Sequence, residues 1–117
     1  MLIKPDITSA GRIGEIISAL EQAEYNITNI KMFRPTLNLA QEHYIEHSQK
    51  DFFNPLCVFL TSGTVVALII QGDNIISRIR EEIPVLRKMF GTDFRKNAVH
   101  ASDGPESAER EIKLWFN

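Results

Sequence analysis

The sequence predicts an α+β sandwich, and three observations carry that prediction. Ile13, Ile16, Ile17 and Leu20 recur at i, i+3, i+4 and i+7, the period of a helix with one buried side. A nearly unbroken apolar run, Thr64-Val65-Val66-Ala67-Leu68-Ile69-Ile70, is bounded by Gly63 and Gly72, as expected of a strand covered on both faces at a sheet centre. Strand-like and helix-like segments then alternate along the 117 residues, with connections that are mostly helical. The expected architecture is ferredoxin-like: a four-stranded antiparallel sheet covered by helices, with the helices on one face.

Taken in order, Leu2-Ile3 is a short strand that Pro5 stops, delivering Lys4 and Asp6 to a loop. Gly11 marks a turn before the helix on the Ile13–Leu20 stripe. Ile27 to Phe33 is β-rich and partly alternating, and Arg34-Pro35 ends it. Leu37 to His47 reads as a helix with Leu37, Ala40 and Tyr44 along one side. Asp51 to about Thr61 reads as another, rich in Phe52, Phe53, Leu56, Phe59 and Leu60. After the central strand, Asp73 or Asn74 caps a helix with Ile75, Ile76 and Ile79 inward. Pro84 is expected to break it and to begin a shorter helix ending at Gly91. A loop then leads to the strand Ala98-Val99 and to His100. Gly104-Pro105 opens the last helix, with Ala108, Ile112 and Trp115 inward.

Composition narrows the function classes. The chain is 44% hydrophobic and 24% charged, ordinary for one globular domain, here residues 1–117. A formal net charge of −2 speaks against a basic nucleic-acid-binding surface. Cys57 is the single cysteine, so no intrachain disulfide can form, and its apolar neighbours suggest a buried thiol. The start Met1-Leu2-Ile3-Lys4-Pro5 lacks a basic leader followed by an apolar segment. No apolar run reaches bilayer length. A cytoplasmic protein is expected.

Among candidate sites, His43-Tyr44-Ile45-Glu46-His47 formally matches an H-x-x-E-H zinc pattern. Polar residues on a solvated helix face explain it more simply, and no metal ligands are assigned. His100 follows a strand and precedes the polar turn Ala101-Ser102-Asp103-Gly104, a junction that projects side chains from a rigid scaffold. A neutral imidazole is nucleophilic near pH 7; a histidine hydrogen-bonded within a turn is the competing reading. No G-x-x-x-x-G-K-[ST] loop is present to cradle phosphate. Gly11-Arg12-Ile13-Gly14 is a weak match to an RNA-clamping G-x-x-G. Phosphate would therefore be held by side chains, and Lys4, Arg80 and Arg87 are the candidates.

Together these segments resemble the nucleoside diphosphate kinases. The resemblance runs from Leu2 to Phe116. It is carried by Leu2-Ile3-Lys4-Pro5-Asp6, by Gly14-Glu15-Ile16-Ile17 and by His43-Tyr44 with Phe52-Phe53. It continues through Ser62-Gly63-Thr64-Val65-Val66-Ala67 and Asn97-Ala98-Val99-His100-Ala101-Ser102-Asp103 to Glu106–Ile112. It implies a ping-pong reaction in which His100 takes the γ-phosphoryl of a nucleoside triphosphate and passes it to a nucleoside diphosphate. Lys4, Arg80 and Arg87 match phosphate-contacting cations, and Asn97 matches a contact to the sugar and terminal phosphate. Tyr44 and Ser102 match hydroxyls near the histidine. Glu111 matches the carboxylate that orients the imidazole, and Phe52 the aromatic that stacks on the base. Mg²⁺, held chiefly by the nucleotide phosphates, is the implied cofactor, and a homo-oligomer of at least two copies the implied assembly.

The chain also departs from the family pattern. Only Glu81-Glu82-Ile83-Pro84-Val85-Leu86 separates Arg80 from Arg87, where the family carries a longer Gly-rich excursion with a phosphate-binding threonine. That excursion also builds subunit contacts in hexameric members. Thr64 stands where a proline is usual. The shortened segment motivates an alternative: a catalytically weak, kinase-like module used for assembly or nucleotide binding.

Overall fold

The computed structural model describes residues 1–92 and 96–117. Of the loop expected after Gly91, residues 93–95 lie outside the described residues. The described elements are β1 (Leu2–Ile3), α1 (Pro5–Ser9), α2 (Ile13–Gln22), β2 (Asn26–Phe33) and α3 (Leu37–His43). A 3-10 turn (Ile45–His47) leads to α4 (Phe53–Leu60), β3 (Val65–Gln71), α5 (Ile75–Phe90), β4 (Val99–His100) and α6 (Pro105–Trp115).

The strands form one sheet in the order β2-β3-β1-β4, and every pairing is antiparallel. This is the ferredoxin-like arrangement, with the apolar run at Val65–Gln71 near its centre. The helices cover both faces, not one. Ile3, Val66, Leu68 and Val99 point to a core shared with Ile16 and Leu20 of α2 and with Ile79, Ile83, Leu86 and Phe90 of α5. Leu2, Val65 and Ala67 point the other way, to Ala40 of α3, Leu56, Cys57 and Leu60 of α4, and Trp115 of α6. Strand side chains alternate between faces, and Leu2 pairs with both Ala67 and His100. His100 therefore belongs to the second face.

Three further expectations are corrected. Pro84 does not divide the helix: α5 runs unbroken for 16 residues with Pro84 inside it. An internal proline costs about 3 kcal/mol through the lost hydrogen bond and its steric clash. Burial of Ile79, Ile83, Leu86 and Phe90 offsets this at roughly 1.5–3 kcal/mol per side chain. Pro84 itself faces solvent, where water can satisfy the carbonyl one turn earlier. The segment from Pro5 is not a loop but the five-residue α1, with proline in its first turn and Ile7 buried, a position that needs no proline N–H. Leu37 and Ile112 are exposed rather than inward. Asn74 does flank α5, but in the left-handed region and without a side-chain capping bond.

Candidate active site

The sequence segments that converge on His100 are tied first by their backbones. The amide of Lys4 donates to the carbonyl of Ala98 at 2.8 Å. The amide of Ala98 in turn donates to Oδ2 of Asp6 at 3.0 Å. Ala98 is fully buried with φ +74°, a left-handed conformation that strains a residue carrying a Cβ. Lys4 and Asp6 thus grip both polar groups of the strained residue two places before the histidine. Lys4 also reaches forward, its Nζ donating to Oδ1 of Asn97 at 2.9 Å. Arg87 fixes the next peptide, donating from Nε and Nη2 to the carbonyl of Val99 at 3.2 and 3.1 Å.

Gly91 makes this approach possible. A Cβ there would stand 2.7 Å from the Arg87 carbonyl oxygen and 2.9 Å from Cα of Asn97. The residue ending α5 must therefore lack a side chain where the returning chain passes.

The His100 ring is set from the opposite side. Its Nε2 lies 2.8 Å from Oε1 of Glu111, and a carboxylate can only accept, so Nε2 carries the proton and Nδ1 the lone pair. Oε1 also accepts from Oγ of Ser102 at 3.0 Å, and Arg110 stands 3.8 Å from Oε2. The His100 side chain is 23% exposed, so the ring is held yet reachable. Its pKa is pushed down to about 3, first by burial and then by the Met1 ammonium, Lys4 and Arg87. The imidazole is thus neutral at pH 7 and facing positive charge, a setting that suits an incoming anion.

The remaining expected residues lie at graded distances. Tyr44 is buried, with its ring centroid 6.4 Å from that of His100. Burial pushes its hydroxyl pKa up. From Tyr44 a series of rings leads outward, to His47 at 6.3 Å and from His47 to Phe52 at 5.6 Å. Phe52 lies at the outer end of that series. Arg80 is exposed and follows the same side of α5 two turns before Arg87, roughly 10 Å away along the axis. Its charge acts on both Arg87 and Asp103.

Two side chains, His43 against the His100 ring and Trp115 behind His43, were not expected there. His43 is not on a solvated face: it is 3% exposed, edge-to-face with His100 at a centroid distance of 4.4 Å. Its Nδ1 accepts from the indole Nε1–H of Trp115 at 3.1 Å. The available signal was spacing, since His43 falls three residues after Ala40 on the buried stripe of α3. His47 turns elsewhere, toward Lys50 and Phe52, so the H-x-x-E-H pattern does not converge. Ring nitrogens of His43 and His100 and an oxygen of Glu111 do lie within 4.8 Å of one another, a donor set that could suit a divalent cation. Of these groups, Nδ1 of His43 accepts from Trp115, while Nε2 of His100 and Oγ of Ser102 share Oε1 of Glu111. The G-x-x-G segment is likewise occupied otherwise, as Arg12 pairs with Glu15 at 2.7 Å and lies over Phe90.

The family model described as "Nucleoside diphosphate kinase" matches residues 1–117. A nucleoside diphosphate kinase of Symbiobacterium thermophilum is 44% identical over 126 aligned positions, covering 99% of this chain and 84% of the relative. One from Exiguobacterium sibiricum is 42% identical, with 99% and 91% covered. The crystal structure of the Aquifex aeolicus nucleoside diphosphate kinase superposes with a TM-score of 0.90 at 39% identity, covering 99% of this chain and 92% of that one. The Halobacterium salinarum enzyme in complex with CDP gives 0.92 at 34% identity, covering 99% and 84%.

Proposed function

This chain belongs to the nucleoside diphosphate kinase family, and we propose that it transfers the γ-phosphoryl group between nucleotides through a phosphohistidine at Nδ1 of His100. The observation that carries this reading is the Glu111–Nε2 hydrogen bond, which directs the lone pair to the other nitrogen. Nδ1 attacks the terminal phosphorus, the Nδ1–P bond forms, and the bond to the bridging oxygen breaks. The nucleoside diphosphate leaves with the electron pair. A second diphosphate reverses these steps and regenerates the enzyme. Nε2 keeps its proton throughout, and Glu111 stabilises the positive charge that grows on the ring.

Phosphoryl transfer depends on in-line positioning and on neutralising charge. Lys4 and Arg87, which hold the peptides before His100, act on the phosphates, with Arg80 further out and Asn97 beside Lys4. Tyr44 and Ser102 flank the ring, and Phe52 offers a face for the base. Stacking of that kind tolerates any base. The basic side chains around His100 suit phosphate oxygens rather than a bare divalent cation, so Mg²⁺ would arrive on the phosphates and supply charge neutralisation there. Site and chemistry belong to one domain, residues 1–117, and a cytosolic place of action accords with the buried thiol of Cys57.

Self-association is part of the proposal. β2 pairs with β3 on one side and lies at the end of the sheet, with Ile30 56% and Met32 61% exposed. A long edge strand with apolar side chains is suited to pairing with a second copy.

Incubation with γ-labelled ATP and Mg²⁺ is expected to give an acid-labile label that a nucleoside diphosphate removes, and His100→Ala is expected to abolish it. Nucleotide binding without label in the wild type would favour the module reading over the kinase.

A further inference from the structure

His43 presents an N–H group that no catalytic assignment uses. An indole nitrogen can only donate. The contact from Trp115 Nε1 at 3.1 Å therefore requires a lone pair on Nδ1 of His43 and places the neutral ring's proton on Nε2. That Nε2 is buried and has no hydrogen-bond partner among the described residues. Buried donors are seldom left so, because an unmet N–H loses its hydration without replacement. Among the described residues the nearest aromatic centroid to this ring is that of His100, 4.4 Å away and inclined at 75°, at which one ring's edge meets the other's face. Burial, reinforced by repulsion from His100 whenever that ring is protonated, holds the pKa of His43 well below its ordinary value. The ring is therefore a fixed, uncharged tautomer across the working pH range.

We infer that His43 is a positioning residue for the transfer reaction, directing its Nε2–H at the imidazole of His100 and holding that ring on Glu111. An N–H group can use an aromatic face as a weak acceptor, so the contact accounts for a donor that otherwise has no partner among the described residues. It also opposes rotation of the His100 ring. Rotation would exchange the places of the two nitrogens, putting the protonated one toward the phosphate. The residue touches His100 and is itself almost wholly buried, so its effect is expected on the transfer step and not on binding. The inference rests on the reading of His100 as the phosphoryl carrier.

Two substitutions separate the nitrogens. His43→Asn keeps an acceptor near Nδ1 for Trp115 and removes the Nε2 donor. His43→Gln extends an amide N–H toward the Nε2 position. In single-turnover labelling with γ-labelled ATP and Mg²⁺, His43→Asn is expected to be slower by about tenfold to a hundredfold, the scale set by a misplaced reacting group. Its KM for ATP is expected to stay at the wild-type value, and His43→Gln is expected to recover a large part of the rate. Wild-type speed in His43→Asn, or His43→Gln no faster than His43→Asn, would overturn the inference. A purely structural role would lower thermal stability in both variants without this ordering of rates.

Should either variant fail to fold, ¹⁵N-histidine NMR of the wild-type protein decides the point. The expected result is an Nε2–H tautomer for His43, with a proton signal shifted upfield by the His100 ring and moved by phosphorylation. An Nδ1–H tautomer, or an Nε2 proton without that shift, would refute it. An unlabelled wild type would count against the phosphohistidine instead, so the two failures are distinguishable.

Discussion

The two faces of the sheet are built from the same strands and do opposite work. Beneath α2 and α5 the buried side chains are hydrocarbon and aromatic: Ile3, Ile16, Leu20, Val66, Leu68, Ile79, Leu86 and their neighbours. Beneath α3, α4 and α6 the core also contains Tyr44, Cys57 and Trp115 and adjoins buried His43 and Glu111. Along this face run the hydrogen bonds from Trp115 to His43 and from His100 and Ser102 to Glu111. What separates the faces at β4 is pleat parity. Val99 enters the apolar core and His100, one residue on, enters the polar one. A register slip of one residue would bury the proposed nucleophile in hydrocarbon. The apolar face can therefore set stability while the other sets chemistry, and substitutions should respect that division.

Leu86→Ala on the apolar face should have the largest effect. The side chain is fully buried, so its removal is expected to cost about 2–5 kcal/mol through lost transfer and a residual cavity. Urea denaturation should show this, while the transfer rate of the folded fraction stays near wild type. Glu111→Ala on the other face should do the reverse. Transfer is expected to slow on the order of a hundredfold because the His100 ring loses its orientation, with KM and melting temperature changed far less. Equal losses of stability and rate in both variants would erase the distinction between the faces.

Acid should also act through the polar face. His100 is pushed down to about 3, whereas in the unfolded chain it binds a proton near pH 6.5. Between those values the unfolded state holds more protons, so stability rises with pH. The contribution is fully present above 6.5 and is lost as pH falls toward 3, and His43 shifts in the same direction. Urea midpoints should fall from pH 7.5 to 4.5, less steeply in His100→Ala than in the wild type. The smallest effect is expected at the start of α3, where Oγ1 of Thr36 accepts from the Leu39 amide at 3.1 Å. Thr36→Ala should cost about 1 kcal/mol of stability and leave transfer intact, because His43 lies at the far end of that helix.

Sequence was most informative where one short period or one motif sufficed. The Ile13–Leu20 stripe, the apolar strand at Val65–Gln71 and the segment around His100 are each specified locally. The rest depended on contacts between distant residues. Pro84 lies within α5 because four buried side chains outweigh a local penalty. α1 is only one turn and a half long, too short for periodicity to reveal. His43 looks like a surface residue until Trp115, 72 positions away, covers it. The shared I-K-P-D and N-A-V-H motifs were visible as words, yet their relation, two residues gripping the strained peptide of Ala98, exists only in three dimensions.

Trp115 is the single tryptophan of the chain, and its indole is both buried and hydrogen-bonded to His43. Its emission therefore comes from a dry environment one ring removed from His100. Any event that disturbs that imidazole should alter the colour or intensity of the light, so a fluorimeter can follow turnover in the unmodified protein without a coupled assay.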